Sequence, residues 1–341
     1  MSTAVLSSTP KKSLPRPRLS TGWVGAILLA VIAVPCFVTL PWSLTRYDEQ
    51  RSDQVEKILA PPSWAEPMGT DDLGRSLLWR SLLGGAISLG IGISAALIAV
   101  FIGVIWGAMA GYAGGKTDAA MMRTVDVLYG LPYILLVVMV SIALQPFVEA
   151  LIGTTLGFSE VVAGNVSGIV TLLVAIGGVS WLTMSRVIRG QVLSLRNQPF
   201  IEATKAVGMG TTRVFRLHLL PNLIGVIVVY ATLAVPLAIL QESFLSFLGI
   251  GVRKPLPSWG SLASEGIKEL PSLAGMNVEW GVLLMPWRWF SELYPPAITT
   301  ELPFRWWLLV FPCTLLGLTL MGLNFLGDAL RDKFDPKRNQ R

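Results

Sequence analysis

Six long apolar runs, separated by polar segments, organise this chain: Trp23–Leu44, Ile87–Tyr112, Leu128–Val148, Val166–Met184, Leu223–Phe247 and Trp306–Phe325. Each is near the length an α-helix needs to cross a hydrocarbon core of roughly 30 Å. None alternates with the period of two that a half-buried strand would show. The pattern therefore predicts an all-α integral membrane protein with six transmembrane helices. The first run is too long for the apolar core of a cleaved signal, so it reads as an uncleaved anchor. Gly103, Gly107 and Gly111 place small residues on one face of the second run, which lets helices approach closely in lipid. Pro132 is placed to bend the third run, and Pro236 interrupts the fifth.

The polar segments divide the rest. Residues 1–21 form a Ser/Thr/Pro-rich basic tail, 22–46 the first helix and 47–80 an extracytoplasmic segment. A five-helix core spans 81–330, and 331–341 is a second tail. Thr70, Asp71 and Asp72 read as caps of a helix beginning near Leu73, where acidic groups favour the helix dipole. Neighbouring carboxylates at a helix start point apart, which disfavours an acid/base or metal pair. Arg123 and Asp126 have the spacing of a self-satisfied i, i+3 pair. Glu242 in the fifth run is either a functional carboxylate or a group at the outer interface, held by water or a helix start. Residues 149–164 read as an external loop, and about 255–305 as a long polar extracytoplasmic segment. Trp259, Trp280, Trp287, Trp289 and Tyr294 there suit an interfacial aromatic belt.

One stretch between two spans is too polar to cross a membrane: Phe200–Asn222, FIEATKAVGMGTTRVFRLHLLPN. Phe200–Val207 predicts a short helix ending at Gly208, where glycine tolerates positive φ. Thr211 or Thr212 is placed to cap a second short helix through Leu219, closed by Pro221. Glu202, Lys205, Arg213 and Arg216 fall on the outward side. From pattern alone this is either a docking element or an ordinary basic loop.

Composition agrees with the pattern. The 341 residues are 52% hydrophobic and only 14% charged, against about 25% charged in soluble domains. The pI near 9.5 arises from Lys and Arg in loops beside apolar runs, which is not a nucleic-acid footprint. Of 27 Lys and Arg, 17 fall on the side of both tails and the Phe200–Asn222 stretch and 10 on the other. That excess predicts cytoplasmic termini. Two cysteines in apolar runs and a single histidine, His218, leave no metal or cofactor ligand set. Gly115–Thr117 reads GKT, but no phosphate-loop pattern precedes it.

Glu202-Ala203-x4-Gly208 followed by Leu220-Pro221-Asn222 resembles the EAA loop of ABC-importer permeases, with Thr204 as a small departure in the triplet. Gly69–Arg75 (GTDDLGR), Leu245–Gly260 and Asn324–Pro336 are similar to segments of the C-type permease of dipeptide, oligopeptide and nickel importers. The resemblance covers roughly Gly69–Pro336 and implies a type I importer permease with the MetI-like fold in the bacterial inner membrane, in which the 255–305 segment is longer than the family's loop and about Leu273–Thr300 reads as an extracytoplasmic insertion. It further implies a second homologous permease, two cytoplasmic ATPases and an extracytoplasmic solute-binding protein as partners. ATP and Mg²⁺ would bind the ATPases, with no cofactor or catalytic site in this chain. Glu202, Ala203, Lys205, Gly208, Arg213 and Pro221 would form the ATPase-coupling interface. The competing class, an ion-gradient-driven transporter, needs ionisable groups near the midplane. The spans offer only Glu242 and Asp126, both near their ends. An intramembrane hydrolase would need a nucleophile with a base, and His218 stands beside no serine motif.

Overall fold

The computed structural model describes residues 21–51, 55–155, 157, 159–268 and 305–334, without the side chains of 55, 154, 155, 160–162, 205 and 334. Residues 1–20 and 335–341 of the two tails and the segment with Trp280, Trp287, Trp289 and Tyr294 lie outside the described residues, while 331–334 of the second tail continue the last helix.

Among the described residues eleven α-helices follow in chain order: α1 Thr21–Val38, α2 Leu40–Arg46, α3 Leu77–Ala113, α4 Gly115–Tyr129, α5 Tyr133–Ala150 and α6 Glu160–Arg196. Then come α7 Pro199–Ala206, α8 Thr211–Val214, α9 Leu220–Phe247, α10 Trp259–Lys268 and α11 Trp307–Phe334. Six helical segments are long and apolar enough to cross a membrane, as the six runs predict. No strand occurs among the described residues.

Several helices outrun their apolar patterns. α3 and α6 each reach 37 residues, so Arg80 and Arg186, Arg189 and Arg196 ride on helices rather than on loops. They can do so because each arginine finds a carboxylate or carbonyl partner (below), which offsets the cost of placing charge beside apolar surface. Pro132 does not bend a span; it is the N-cap of α5, where its missing N–H is no loss. The break at Gly130–Pro132 leaves α4 as a separate helix. The first run is likewise divided: α1 ends at Val38 and α2 starts one residue after Thr39.

The core is built on glycine. A Cβ at Gly103 would stand 2.5 Å from Met184 Cβ, and one at Gly107 would strike the Ser185 carbonyl oxygen. The predicted small-residue stripe on α3 is therefore the seat of α6. Trp259 departs from the expected belt. It is fully buried among Cys36, Ala86, Leu89 and Ile239, and its Nε1 donates to Ser81 O at 3.0 Å. Burial of an indole with its N–H satisfied inside is favourable, and the absence of a side chain at Gly85 makes room for the ring.

Candidate functional site

The α6–α9 connection forms a helix–turn–helix. α7 ends in a reversal in which Gly208 takes φ +76° and Met209 N–H donates to Thr204 O at 3.0 Å. This is the six-to-one bond of a Schellman ending, with glycine at the left-handed position. A Cβ at Gly208 would meet nothing within 4 Å, so conformation, not crowding within this chain, calls for glycine. Thr211 and Thr212 do not cap the next helix. Gly210 is its N-cap, without a side-chain hydrogen bond. Nor does Pro221 close that helix. A π-helical turn at Phe215–Leu219 carries α8 straight into α9, so Thr211–Phe247 is one helical rod. Leu220 N–H reaches back to Phe215 O, and Asn222 Nδ2 donates to His218 O at 2.6 Å. With these bonds, a proline that cannot donate is absorbed by widening the turn.

The inner face of this element is anchored. Ile201, Val214, Leu219 and Leu223 are fully buried against Ile188 and Val192 of α6. Thr204, the departure from the triplet, is buried and its hydroxyl donates to Ile201 O at 2.7 Å. The outer face carries the predicted residues: Glu202, Ala203, Gly208, Arg213 and Pro221 are all exposed. The Lys205 side chain lies outside the described structure. Three large apolar side chains accompany them, Phe200 (41% exposed), Val207 (82%) and Leu217 (55%). Sequence reasoning passed over these three, although apolar residues on the polar side of a short amphipathic helix were the available signal.

Ion pairs brace the base of the element. Arg189 Nε and Nη2 hold the two Asp118 oxygens at 2.5 and 2.6 Å, and Arg196 Nη1 donates to Tyr112 O at 3.1 Å. Hydrogen bonds from Arg189 keep the Asp118 carboxyl below the usual aspartate range, although burial works against this. Asp126 pairs with Arg186 at 2.8 Å, not with Arg123 as its spacing suggests. The Arg186 guanidinium also lies 4.0 Å from the Tyr129 ring centroid, a favourable cation–π contact. α4 is thereby clamped to α6 just ahead of the helix–turn–helix.

The opposite end of the bundle holds a second network that spacing did not reveal. Asp71 does not cap a helix. Its Oδ1 accepts from Leu73 N and Arg75 N at 3.0 and 2.8 Å, closing a tight turn before α3 begins at Leu77. Its Oδ2 accepts from Arg75 Nε at 2.8 Å and Arg80 Nη1 at 2.5 Å. Arg80, 1% exposed, also reaches Glu265 on α10 at 2.8 Å. Burial alone would raise the Glu265 carboxyl, but the charges of Arg80 and Lys254 outweigh it and hold it below the usual glutamate range. Glu242 is not at a wet interface. It is fully buried, takes hydrogen bonds from Ser246 at 2.7 Å and Ser243 at 3.3 Å, and has Ser88 and Ser258 as further partners. Among the described residues no cluster of three metal-ligating side chains occurs.

Comparison with known proteins places this geometry. The family of binding-protein-dependent transport system inner membrane components matches residues 99–340. The chain belongs to this family. The DppC dipeptide transport system permease protein of Bacillus subtilis is 39% identical over 81% of this chain and 70% of its own length. The OppC oligopeptide transport system permease protein of the same organism is 35% identical over 92% and 85%. OppC of Escherichia coli is 38% identical over 92% and 86%. The permease is thus a multi-pass inner-membrane protein whose six apolar helices cross the bilayer. The matched residues take in the whole helix–turn–helix and the α4–α6 clamp.

Proposed function

We propose that this permease is one of two homologous transmembrane subunits of a type I ABC importer for peptides, with the Phe200–Asn222 element as its ATPase-coupling loop. The observation that carries the reading is that element itself: an anchored helix–turn–helix whose outer face presents Glu202, Ala203, Arg213 and Pro221 beside exposed Phe200, Val207 and Leu217. Exposed apolar side chains among charged ones suit a groove on another protein. Peptide cargo is supported by the dipeptide and oligopeptide permeases to which the chain is similar.

In this reading both termini and the loop are cytoplasmic, in keeping with the Lys/Arg excess on that side. Two ATPase subunits bind ATP and Mg²⁺, and the chain itself carries neither a catalytic site nor a cofactor. An extracytoplasmic solute-binding protein delivers cargo. Closure of the ATPases on ATP displaces the loop, and the Asp118–Arg189 clamp with the continuous Thr211–Phe247 rod passes that displacement into the spans. ATP biases the equilibrium only through contacts that differ between the two states. Glu202 pairs with a polar or basic group of the ATPase, Ala203 enters its groove, and Lys205 and Arg213 supply charge at the rim.

The test is peptide uptake into inverted-free membrane vesicles carrying the whole complex, with ATP inside. Gly208→Asp is expected to insert and assemble: a side chain there meets no neighbour in this chain, and aspartate tolerates the left-handed backbone at a cost of about 1 kcal/mol. It abolishes ATP-dependent uptake while ATP hydrolysis persists. Native uptake by that variant would remove the loop from the coupling role, and uptake driven by an ion gradient without ATP would remove the importer reading.

A further inference from the structure

Two cavities meet at one hydrogen-bonded pair. The larger, about 510 Å³, is bounded by α3, the end of α4, α5, α6 and α9 and runs from Tyr129 and Tyr230 to Gln241. The smaller, about 290 Å³, continues from Gln241 past Phe244 and Leu245 toward the end of α9 far from the coupling loop. Tyr133 and Gln241 line both. The Tyr133 hydroxyl donates to Gln241 Oε1 at 2.7 Å and lies 2.9 Å from Ser180 Oγ. Ser180 is in turn held by Ile176 O at 2.7 Å. The side-chain N–H₂ of Gln241 meets no acceptor among the described residues.

Resting on the permease reading above, we propose that the Tyr133–Gln241 pair is the constriction of the translocation path in this subunit, opened by exchange with the amide groups of a peptide cargo. No residue lining either cavity is charged. The polar groups of the larger one are tyrosine, serine and threonine hydroxyls and one amide. Such a lining takes neutral N–H and C=O groups readily, whereas an isolated ion would lose its hydration without a countercharge. Tyr133 O–H can donate to a cargo carbonyl, and Gln241 can accept from a cargo N–H and donate through its own amide. Closing and opening then trade one hydrogen bond for another, so passage costs little net free energy. The pair is a contact and positioning element; no bond is made or broken by it.

Val179 lines the larger cavity and not the smaller and is buried in this chain, which supplies a reporter. In the assembled complex, Val179→Cys is exposed to a membrane-impermeant maleimide from the side opposite the coupling loop. Labelling is scored above that of the same complex without the new cysteine. Tyr133→Phe, which removes one oxygen and keeps the ring, is expected to speed labelling roughly fivefold, the effect of one ordinary hydrogen bond. Gln241→Ala is expected to do so at least as strongly, and the double variant no more than Gln241→Ala alone. Unchanged labelling in both single variants overturns the constriction. In the same complexes Gln241→Ala should raise KM for trialanine with the maximal rate of ATP hydrolysis unchanged. An unchanged KM overturns the cargo contact. Absence of any trialanine uptake by the otherwise native complex would count against the peptide reading alone, because the labelling ratio does not depend on cargo.

Discussion

Asp71→Asn isolates the network at the end of the bundle opposite the helix–turn–helix. Asparagine keeps the side-chain oxygen that accepts from Leu73 N and Arg75 N, so the turn ahead of α3 retains its backbone bonds. It replaces the other oxygen with an N–H₂ group facing Arg75 Nε and Arg80 Nη1, at 2.8 and 2.5 Å in the native chain. Two charge-assisted bonds are lost and donors meet donors among side chains that are at most 5% exposed. Removing one partner of a buried ion pair costs about 3–5 kcal/mol. Each arginine keeps another carboxylate here, Glu265 for Arg80 and Asp48 for Arg75, which places the loss near the lower bound, about 3 kcal/mol. Asp72→Asn is the internal control: it touches the same Arg75, but at 3.7 Å and with a carboxylate 59% exposed, a geometry worth about 0–1 kcal/mol. Thermal unfolding of the detergent-solubilised complex, followed by a thiol-independent fluorescence signal, should show Asp71→Asn lowering Tm by roughly 6 °C at about 2 °C per kcal/mol for a chain of this size. Asp72→Asn should move it by less than about 2 °C. Equal shifts for the two variants would refute the claim that burial, rather than charge at this turn, decides the energetics.

Other consequences are as accessible. Gly107→Leu drives a side chain into the Ser185 carbonyl of α6 and should prevent recovery of assembled complex from membranes, while Gly178→Ala, beside open space, should leave yield unchanged or slightly raised; equal yields would contradict the α3–α6 seat. Because Glu265 is held below its ordinary value, it contributes stability that is fully present above about pH 4.3 and lost as pH falls through its folded value. Glu265→Gln should accordingly flatten the acid limb of a Tm-against-pH curve, and an unchanged limb would assign the acid sensitivity elsewhere. Asp118→Asn leaves Arg189 without its bidentate partner, so hydrogen exchange in α4 should quicken by about tenfold or more, as the loss of a charge-assisted pair implies; unchanged protection would show that α4 is held by its apolar contacts alone.

What the chain determines by itself is the set of properties that depend on local order. Six apolar runs are enough to predict six spanning helices, because a backbone in hydrocarbon has few ways to satisfy its own N–H and C=O groups. Gly208 announces the turn because its left-handed conformation is a property of the residue, and Gly103, Gly107 and Gly111 announce a close helix contact because their spacing alone puts them on one face. Pairings between distant residues were not legible. Asp126 chose Arg186 over the nearer Arg123, and Asp71 chose Arg80 and Arg75 over a helix N-terminus. Trp259 turned inward once Gly85 opened a slot for it, and Glu242 found its serine partners on other elements as well as its own. Each is a contact across the bundle, where the partner is supplied by packing, and spacing along the chain carries no record of which side chains that packing brings together.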